Sequence, residues 1–274
     1  MIPGELTTEQ VLYFETFGFL ILRSLFSANE IAVVTAETQR LWQEDLGRRP
    51  TAEEFAHLGE SVEQSALLTG LVEGDRIYQP ARQLTGDNPI WSGSECNHGV
   101  QTGTLVHTWH ADRVGAQELD YRRIKMMLYL VPMRAENGAL RVIPGSHRAP
   151  LHTELEEASL QHRDHADHEQ RYFGVMGQDV PSYLIETEPG DLLIFNHSLF
   201  HAVYSENGKR LYLAVKFAAR PTCDAHLLSL QRWSKYLFEP HENWVNSSSA
   251  KLRDMVDGLE DLGRRARELA AGQA

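Results

Sequence analysis

The feature that most constrains the fold is a series of short apolar segments separated by Gly, Pro and Asn, which begins after the turn cluster at 86–89. Short segments of this kind with turn signals between them predict an all-β sandwich or barrel. A double-sheet jelly roll suits their order, because its two sheets pack face to face and enclose a cavity. The predicted strands lie at 103–109, 123–131, 139–143, 183–186, 191–195 and 211–218.

The segments before and after this region are predicted to be mainly helical. Thr7 and Ser27 are predicted N-caps of two helices, separated by a buried strand at 19–23, and a further short helix is predicted around 52–55. We expect one domain over 1–274, mainly β with flanking helices. Its predicted parts are a mostly helical segment at 1–90, a jelly-roll core at 91–220 and a helical segment at 221–274.

Composition excludes several classes of protein. The formal net charge of −12 argues against a general nucleic-acid binder, which needs an excess of Lys and Arg. The two cysteines, Cys96 and Cys223, lie far apart and indicate no disulfide framework. No signal peptide is visible, and no apolar run reaches the roughly 20 residues of a membrane span. We therefore expect a cytoplasmic protein with no nucleic-acid or membrane partner.

Two segments carry the residues of chemical interest. His110 and Asp112 follow the predicted strand at 103–109 and project to the same side of the chain, so both can reach one metal ion. An HxD pair alone is weak evidence. The second segment, 190–201, is a turn, an apolar strand and a short connection to His201, and Arg210 opens the strand after it. Two histidines and a carboxylate can form a facial triad for Fe(II). His197 competes with His201 for the third position.

The combination resembles the phytanoyl-CoA dioxygenase family of Fe(II)/2-oxoglutarate oxygenases. The resemblance rests on the Trp-His-Ala-Asp at 109–112, the segment at 137–147, the Gly-Asp-Leu-Leu-Ile-Phe at 190–195, His201 and Arg210. It implies a double-stranded β-helix, a cupin-like jelly roll, with iron held by His110, Asp112 and His201. It also implies that Arg210 binds the distal carboxylate of 2-oxoglutarate and that O2 is a co-substrate. One departure is Val203, where family members often carry a Ser or Thr that assists this carboxylate.

The implied reaction is hydroxylation of a small-molecule substrate with release of succinate and CO2. In related halogenases a small residue replaces the metal-binding carboxylate, so Asp112 favours hydroxylation. Two alternatives stay open: a catalytically inactive jelly-roll binding protein, and a metal-dependent cupin-type enzyme that does not use 2-oxoglutarate.

Further candidate residues flank this set. Met127, Asn97 and Thr104 are candidate co-substrate contacts. Lys125, Tyr129 and Arg113 are candidate substrate contacts, and Lys125, Met127 and Tyr129 share one face of their strand. The simpler interpretation makes Met127 and Tyr129 core residues and Lys125 exposed.

Other histidines have structural interpretations. Strand alternation places His107 on the face opposite His110, as a packed or surface residue. His147 is predicted to stabilise a turn. The histidine-rich run at 162–168 resembles a metal site, but a solvated insert is the usual explanation for such a polar run.

Overall fold

The computed structural model describes residues 3–51, 54–98, 105–158, 171–205, 210–233 and 238–272. The first two helices, α1 (Thr8–Phe17) and α2 (Ala28–Leu46), begin at the predicted caps. Thr7 and Ser27 each form a complete capping box, in which the cap side chain accepts a hydrogen bond from the third helical N–H. Between them lies strand β1 (Phe19–Leu22), as predicted.

The next part of the chain corrects the sequence analysis in two places. Residues 54 and 55 are not helical, residues 52 and 53 lie outside the described part, and a strand follows, β2 (Ala56–Gly59). After α3 (Ala66–Glu73) and α4 (Asp75–Thr85) comes an unpredicted long strand, β3 (Ile90–His98). Its centre is Ser-Gly-Ser-Glu, which has no apolar run to indicate a strand.

Of the nine remaining strands in the described residues, six lie close to the six predicted positions and three had no predicted counterpart. The nine are β4 (Leu105–His110), β5 (Arg123–Tyr129), β6 (Leu140–Val142), β7 (Arg171–Tyr172), β8 (Val175–Met176), β9 (Tyr183–Ile185), β10 (Leu192–Asn196), β11 (His201–Ser205) and β12 (Tyr212–Ala218). Strands β7, β8 and β11 had no predicted counterpart. A short connection was predicted to lead to His201, which is the first residue of β11. Helix α5 (Leu151–Glu157) lies between β6 and β7.

Ten of the strands form two antiparallel sheets that face each other, and β7 and β8 pair with each other as a separate two-stranded sheet. The larger sheet has the order β1-β10-β5-β12-β3-β2, and the smaller has the order β4-β11-β6-β9. Between them is a core that includes Phe195 and Met127 from the larger sheet and Val142 and Val203 from the smaller. This is the predicted jelly roll. Burying side chains of this size contributes about 1.5–3 kcal/mol each.

Helices cover the outer face of the larger sheet. The C-terminal helices are α6 (Asp224–Trp233), α7 (Glu242–Val245), α8 (Ala250–Val256) and α9 (Leu259–Ala271). They join α2, α3 and α4 in a second apolar core, in which the indole ring of Trp244 packs on that of Trp91 at a centroid distance of 4.4 Å. Within the described part of the chain, no helix combines the length and apolarity that crossing a membrane requires.

Candidate metal centre and its cavity

Three potential metal ligands converge at one end of the smaller sheet. His110 ends β4 and His201 begins β11, and the two residues stand directly opposite each other in the antiparallel pair. Their ring centroids are 4.2 Å apart. Asp112 follows two residues after His110, and one potential ligand atom from each of the three residues lies within 4.8 Å of the others. His201 therefore reaches the site from a strand, and not from a connection as the sequence suggested.

The hydrogen bonds of the two imidazole rings leave the correct atoms for a metal. Nδ1 of His110 donates to the carbonyl oxygen of Thr108 at 2.7 Å, and Nδ1 of His201 donates to that of Leu199 at 2.9 Å. A ring that donates through Nδ1 carries its lone pair on Nε2, and such backbone bonds also fix the ring orientation of metal-binding histidines. Two imidazole nitrogens and one carboxylate fit Fe(II).

The electrostatics favour the protonation states that bind metal. Burial lowers the pKa of His201 to about 3, so its ring is neutral. Burial alone would raise the pKa of Asp112, but nearby cationic groups, Lys125 first among them, hold it well below its ordinary value. The site therefore presents a neutral imidazole and an ionised carboxylate without having to lose a proton at neutral pH.

Arg210 lies buried within the jelly roll and forms no ion pair with any carboxylate in the described ranges. Its Nη2 donates to the hydroxyl of Tyr129 at 3.0 Å, and its guanidinium carbon is 5.1 Å from the ring centroid of Tyr212. A buried guanidinium without an acidic partner is costly unless an anion joins it. Its planar donors are suited to a carboxylate. Tyr129 was placed among the candidate substrate contacts, and its bond to Arg210 was not predicted from the sequence.

Lys125 is not exposed, contrary to the simpler interpretation of its strand. Its Nζ is 2.7 Å from one carboxylate oxygen of Glu95, and Nζ of Lys216 is 2.7 Å from the other. The three residues come from the adjacent strands β5, β3 and β12. Burial alone would raise the pKa of Glu95, but the two lysines lower it to about 2. Sequence reasoning missed Glu95, because β3 was not recognised as a strand.

A cavity of about 620 Å³ opens beside this group and reaches Asp112. Arg113 and His197 line it next to Asp112, and Arg113 donates from Nη1 to the carbonyl of Asp112 at 2.7 Å. Its other walls come from β2, the turn after β2 that contains Glu63, β3, and the segment before α8 that contains Trp244. The volume lies in the range of small-molecule sites.

The chain matches the model of the phytanoyl-CoA dioxygenase family over residues 14–207, more than two thirds of its length. It belongs to the phytanoyl-CoA dioxygenase family. The matched segment contains His110, Asp112 and His201, and Arg210 lies three residues beyond it.

Curated relatives and solved structures agree with this membership. An ectoine dioxygenase of Nocardia farcinica is 32% identical over 160 residues, which cover 53% of this chain and 52% of that protein. The chain thus spans about half the length of that relative. HygX of Streptomyces hygroscopicus, solved with nickel and 2-oxoglutarate, has a TM-score of 0.61 at 20% identity and covers 79% of this chain and 88% of its own. EctD of S. alaskensis, solved with 2-oxoglutarate and 5-hydroxyectoine, has a TM-score of 0.59 at 20% identity and covers 80% and 77%. These likenesses show a shared fold.

Two further residues that were predicted to contact the co-substrate, Asn97 and Met127, bond to the tyrosines beside Arg210. Asn97 bonds through Nδ2 with the hydroxyl of Tyr212, and Met127 accepts at Sδ from the hydroxyl of Tyr129 at 3.7 Å. Val203 is buried in the core between the sheets, in line with its departure from the family pattern. Thr104 lies outside the described residues.

The position of His107 corrects the sequence analysis. In the β4–β11 pair, His201 stands opposite His110 and Val203 stands opposite His107. From His201 to Val203 the chain advances two residues, whereas from His110 back to His107 it spans three. The extra residue in β4 is a β-bulge. Since directly opposed residues share a face, His107 lies on the same side as His110. Simple alternation fails here, because it assumes a regular strand.

His147 and the histidine-rich run at 162–168 were predicted to have no metal-binding role. His147 is buried, and its Nε2 lies 3.1 Å from the carbonyl oxygen of Glu15, a contact typical of a structural residue. The histidine-rich run at 162–168 lies outside the described residues.

Proposed function

We propose that this chain is an Fe(II)- and 2-oxoglutarate-dependent dioxygenase that hydroxylates a small molecule and releases succinate and CO2. The observation that carries the proposal is the convergence of His110, Asp112 and His201, with both Nδ1 atoms committed to backbone carbonyls. Iron, when bound, supplies the one-electron chemistry with O2 that side chains cannot perform.

The remaining roles fall to residues of the chain. Arg210, oriented by the hydroxyl of Tyr129, binds the distal carboxylate of 2-oxoglutarate through its planar donors. His110, Asp112 and His201 hold the metal from one side. The cavity beside Asp112 receives the substrate and separates it from bulk water.

Names of relatives give the first substrate to test. The curated relatives are named ectoine dioxygenases, and one solved neighbour contains 5-hydroxyectoine. Ectoine therefore heads a set of candidates to be screened for coupled release of succinate.

The test is anaerobic addition of Fe(II) and 2-oxoglutarate to the purified protein. We expect a visible metal-to-ligand charge-transfer band, which disappears in His110→Ala and in Arg210→Ala. His226→Ala is the matched control and keeps the band, because His226 stacks on Tyr121 and is not among the converging ligands.

Each alternative has its own outcome. If no band forms and no succinate is released with any candidate substrate, the dioxygenase proposal is wrong and a binding protein is favoured. Activity that survives Arg210→Ala would instead indicate a cupin-type enzyme that does not use 2-oxoglutarate.

A further inference from the structure

Glu63 is a buried carboxyl group in the wall of the cavity, and it is 5% exposed. One of its oxygens accepts from the indole N–H of Trp91 at 2.7 Å, and the other is bonded to the hydroxyl of Ser94. Ser94 already accepts at its oxygen from the N–H of Val62, so its own proton is available to Glu63. These partners suit an ionised carboxylate, which accepts hydrogen bonds and donates none.

No cation balances that carboxylate. Among the described residues, no Lys or Arg lies within ion-pair distance of Glu63; the ion pairs beside the cavity are those that Lys125 and Lys216 form with Glu95. A buried charge without a partner is unfavourable, and burial accordingly raises the pKa of Glu63. A positively charged ligand in the cavity would supply the missing partner.

His197 is a second unsatisfied group that faces the same cavity. It is 3% exposed, and neither ring nitrogen has a hydrogen-bond partner among the residues that the structure describes. Its backbone is nevertheless fixed, because its N–H donates to the carbonyl of Arg123 at 3.0 Å and its carbonyl accepts from the N–H of Arg113 at 2.9 Å. A buried imidazole on a fixed backbone, with both nitrogens unbonded within the described part of the chain and Asp112 in the same wall, is suited to contact a polar ligand.

The charge balance of the cavity points in the same direction. The carboxylate of Glu95 is offset by its two lysines, and Asp112 belongs to the metal site. The remaining charged groups of the wall are Glu60, Glu63 and Glu239 against Arg113. Those four groups sum to −2, and the second lysine beside Glu95 adds +1, so the wall outside the metal site carries a net charge of −1.

We propose that the substrate is a hydrophilic molecule that carries a protonated amine, whose ammonium group pairs with Glu63 while a hydrogen-bonding group contacts His197 beside Asp112. This inference rests on the proposed function, because it names the substrate class of that site. It also assigns two specificity-determining residues, one for the charge and one for the polar group near the metal.

The experiment uses three probes of similar size: glucosamine, glucose and glucuronate. Their affinities for the protein loaded with Fe(II) and 2-oxoglutarate are measured anaerobically by titration calorimetry. We expect glucosamine to bind about tenfold or more tightly than the other two, since it alone satisfies the buried charge. Glu63→Gln keeps an acceptor for Trp91 but has no charge, and it should abolish this preference. Thermal unfolding of the variant checks that it is folded.

Two further variants separate the roles. Glu60→Gln removes an exposed charge from the same wall and should change the preference by less than about threefold. His197→Phe should weaken glucosamine and glucose alike, while the charge-transfer band persists.

Any result without a glucosamine preference overturns the proposal, as does a preference that survives Glu63→Gln. The band measured in the same samples distinguishes the two proposals. A band without the preference refutes only the substrate class, and a preference without the band refutes only the dioxygenase.

Discussion

The substitution Glu95→Gln should destabilise the protein more than any change to its surface ion pairs. Glu95 bridges Lys125 and Lys216 at 2.7 Å each, with side-chain exposures of 14%, 14% and 25%. Removing one partner of a buried pair costs about 3–5 kcal/mol, because it leaves uncompensated charge. Water screens part of this at Lys216, so we expect about 2–4 kcal/mol. For a chain of this size, that corresponds to a fall in Tm of about 4–16 °C.

The pH dependence provides a second measurement on the same pair of proteins. The lysines lower the pKa of Glu95 in the folded state to about 2, below the roughly 4.3 of an unfolded glutamate. Glu95 therefore stabilises the fold fully above about pH 5, and this contribution is lost as the pH falls towards 2. Urea unfolding followed by circular dichroism should show a shallower loss of stability in this window for Glu95→Gln than for wild type.

Controls for this prediction come from elsewhere in the chain. Arg264→Gln breaks exposed pairs with Asp261 and Glu268, which water screens, and should lower Tm far less than Glu95→Gln does. The double variant Glu95→Gln/Lys125→Met should recover part of the lost stability, because it removes one of the stranded charges. Equal losses for Glu95→Gln and Arg264→Gln would refute the argument that burial decides the magnitude.

Two further predictions concern the co-substrate and the backbone. Tyr129→Phe removes the hydroxyl bonded to Arg210 and should raise the KM for 2-oxoglutarate about 3–10-fold without changing iron affinity; an unchanged KM would contradict the assigned role. Gly18→Ala should cost about 2–5 kcal/mol in denaturant unfolding, because Gly18 has φ +81° and an added Cβ would lie 2.4 Å from Nδ1 of His147. Gly47→Ala, with φ +66° and open space around it, should cost only about 1–2 kcal/mol; equal losses would exclude the clash.

The sequence predicted what depends on local pattern and failed where cross-strand register decides. The capping boxes of Thr7 and Ser27 are spacings of three residues, and both helices begin there. The jelly roll followed from apolar segments and turn residues. Glu95 could not be found in this way, because its partners Lys125 and Lys216 are defined only by which strands lie side by side.

His107 illustrates the same limit. Alternation placed it away from His110, and one extra residue in β4 reverses that result. A bulge leaves no signal in a run such as Leu-Val-His-Thr-Trp-His. Tyr129 was a candidate by its position in the strand, but its bond to Arg210 depends on the β5–β12 pairing.

The pairing of His110 with His201 also has a consequence for biosynthesis. The two strands that supply these histidines are separated by about ninety residues of chain, so β4 is made several seconds before β11 at typical synthesis rates of about 5–20 residues per second. During that interval the site has His110 and Asp112 but lacks its third potential ligand. Strand β11 lies between β4 and β6 in its sheet, so its pairing brings together segments that are far apart in the chain. The complete set of three potential ligands is therefore expected to form only once the β4–β11 ladder has formed.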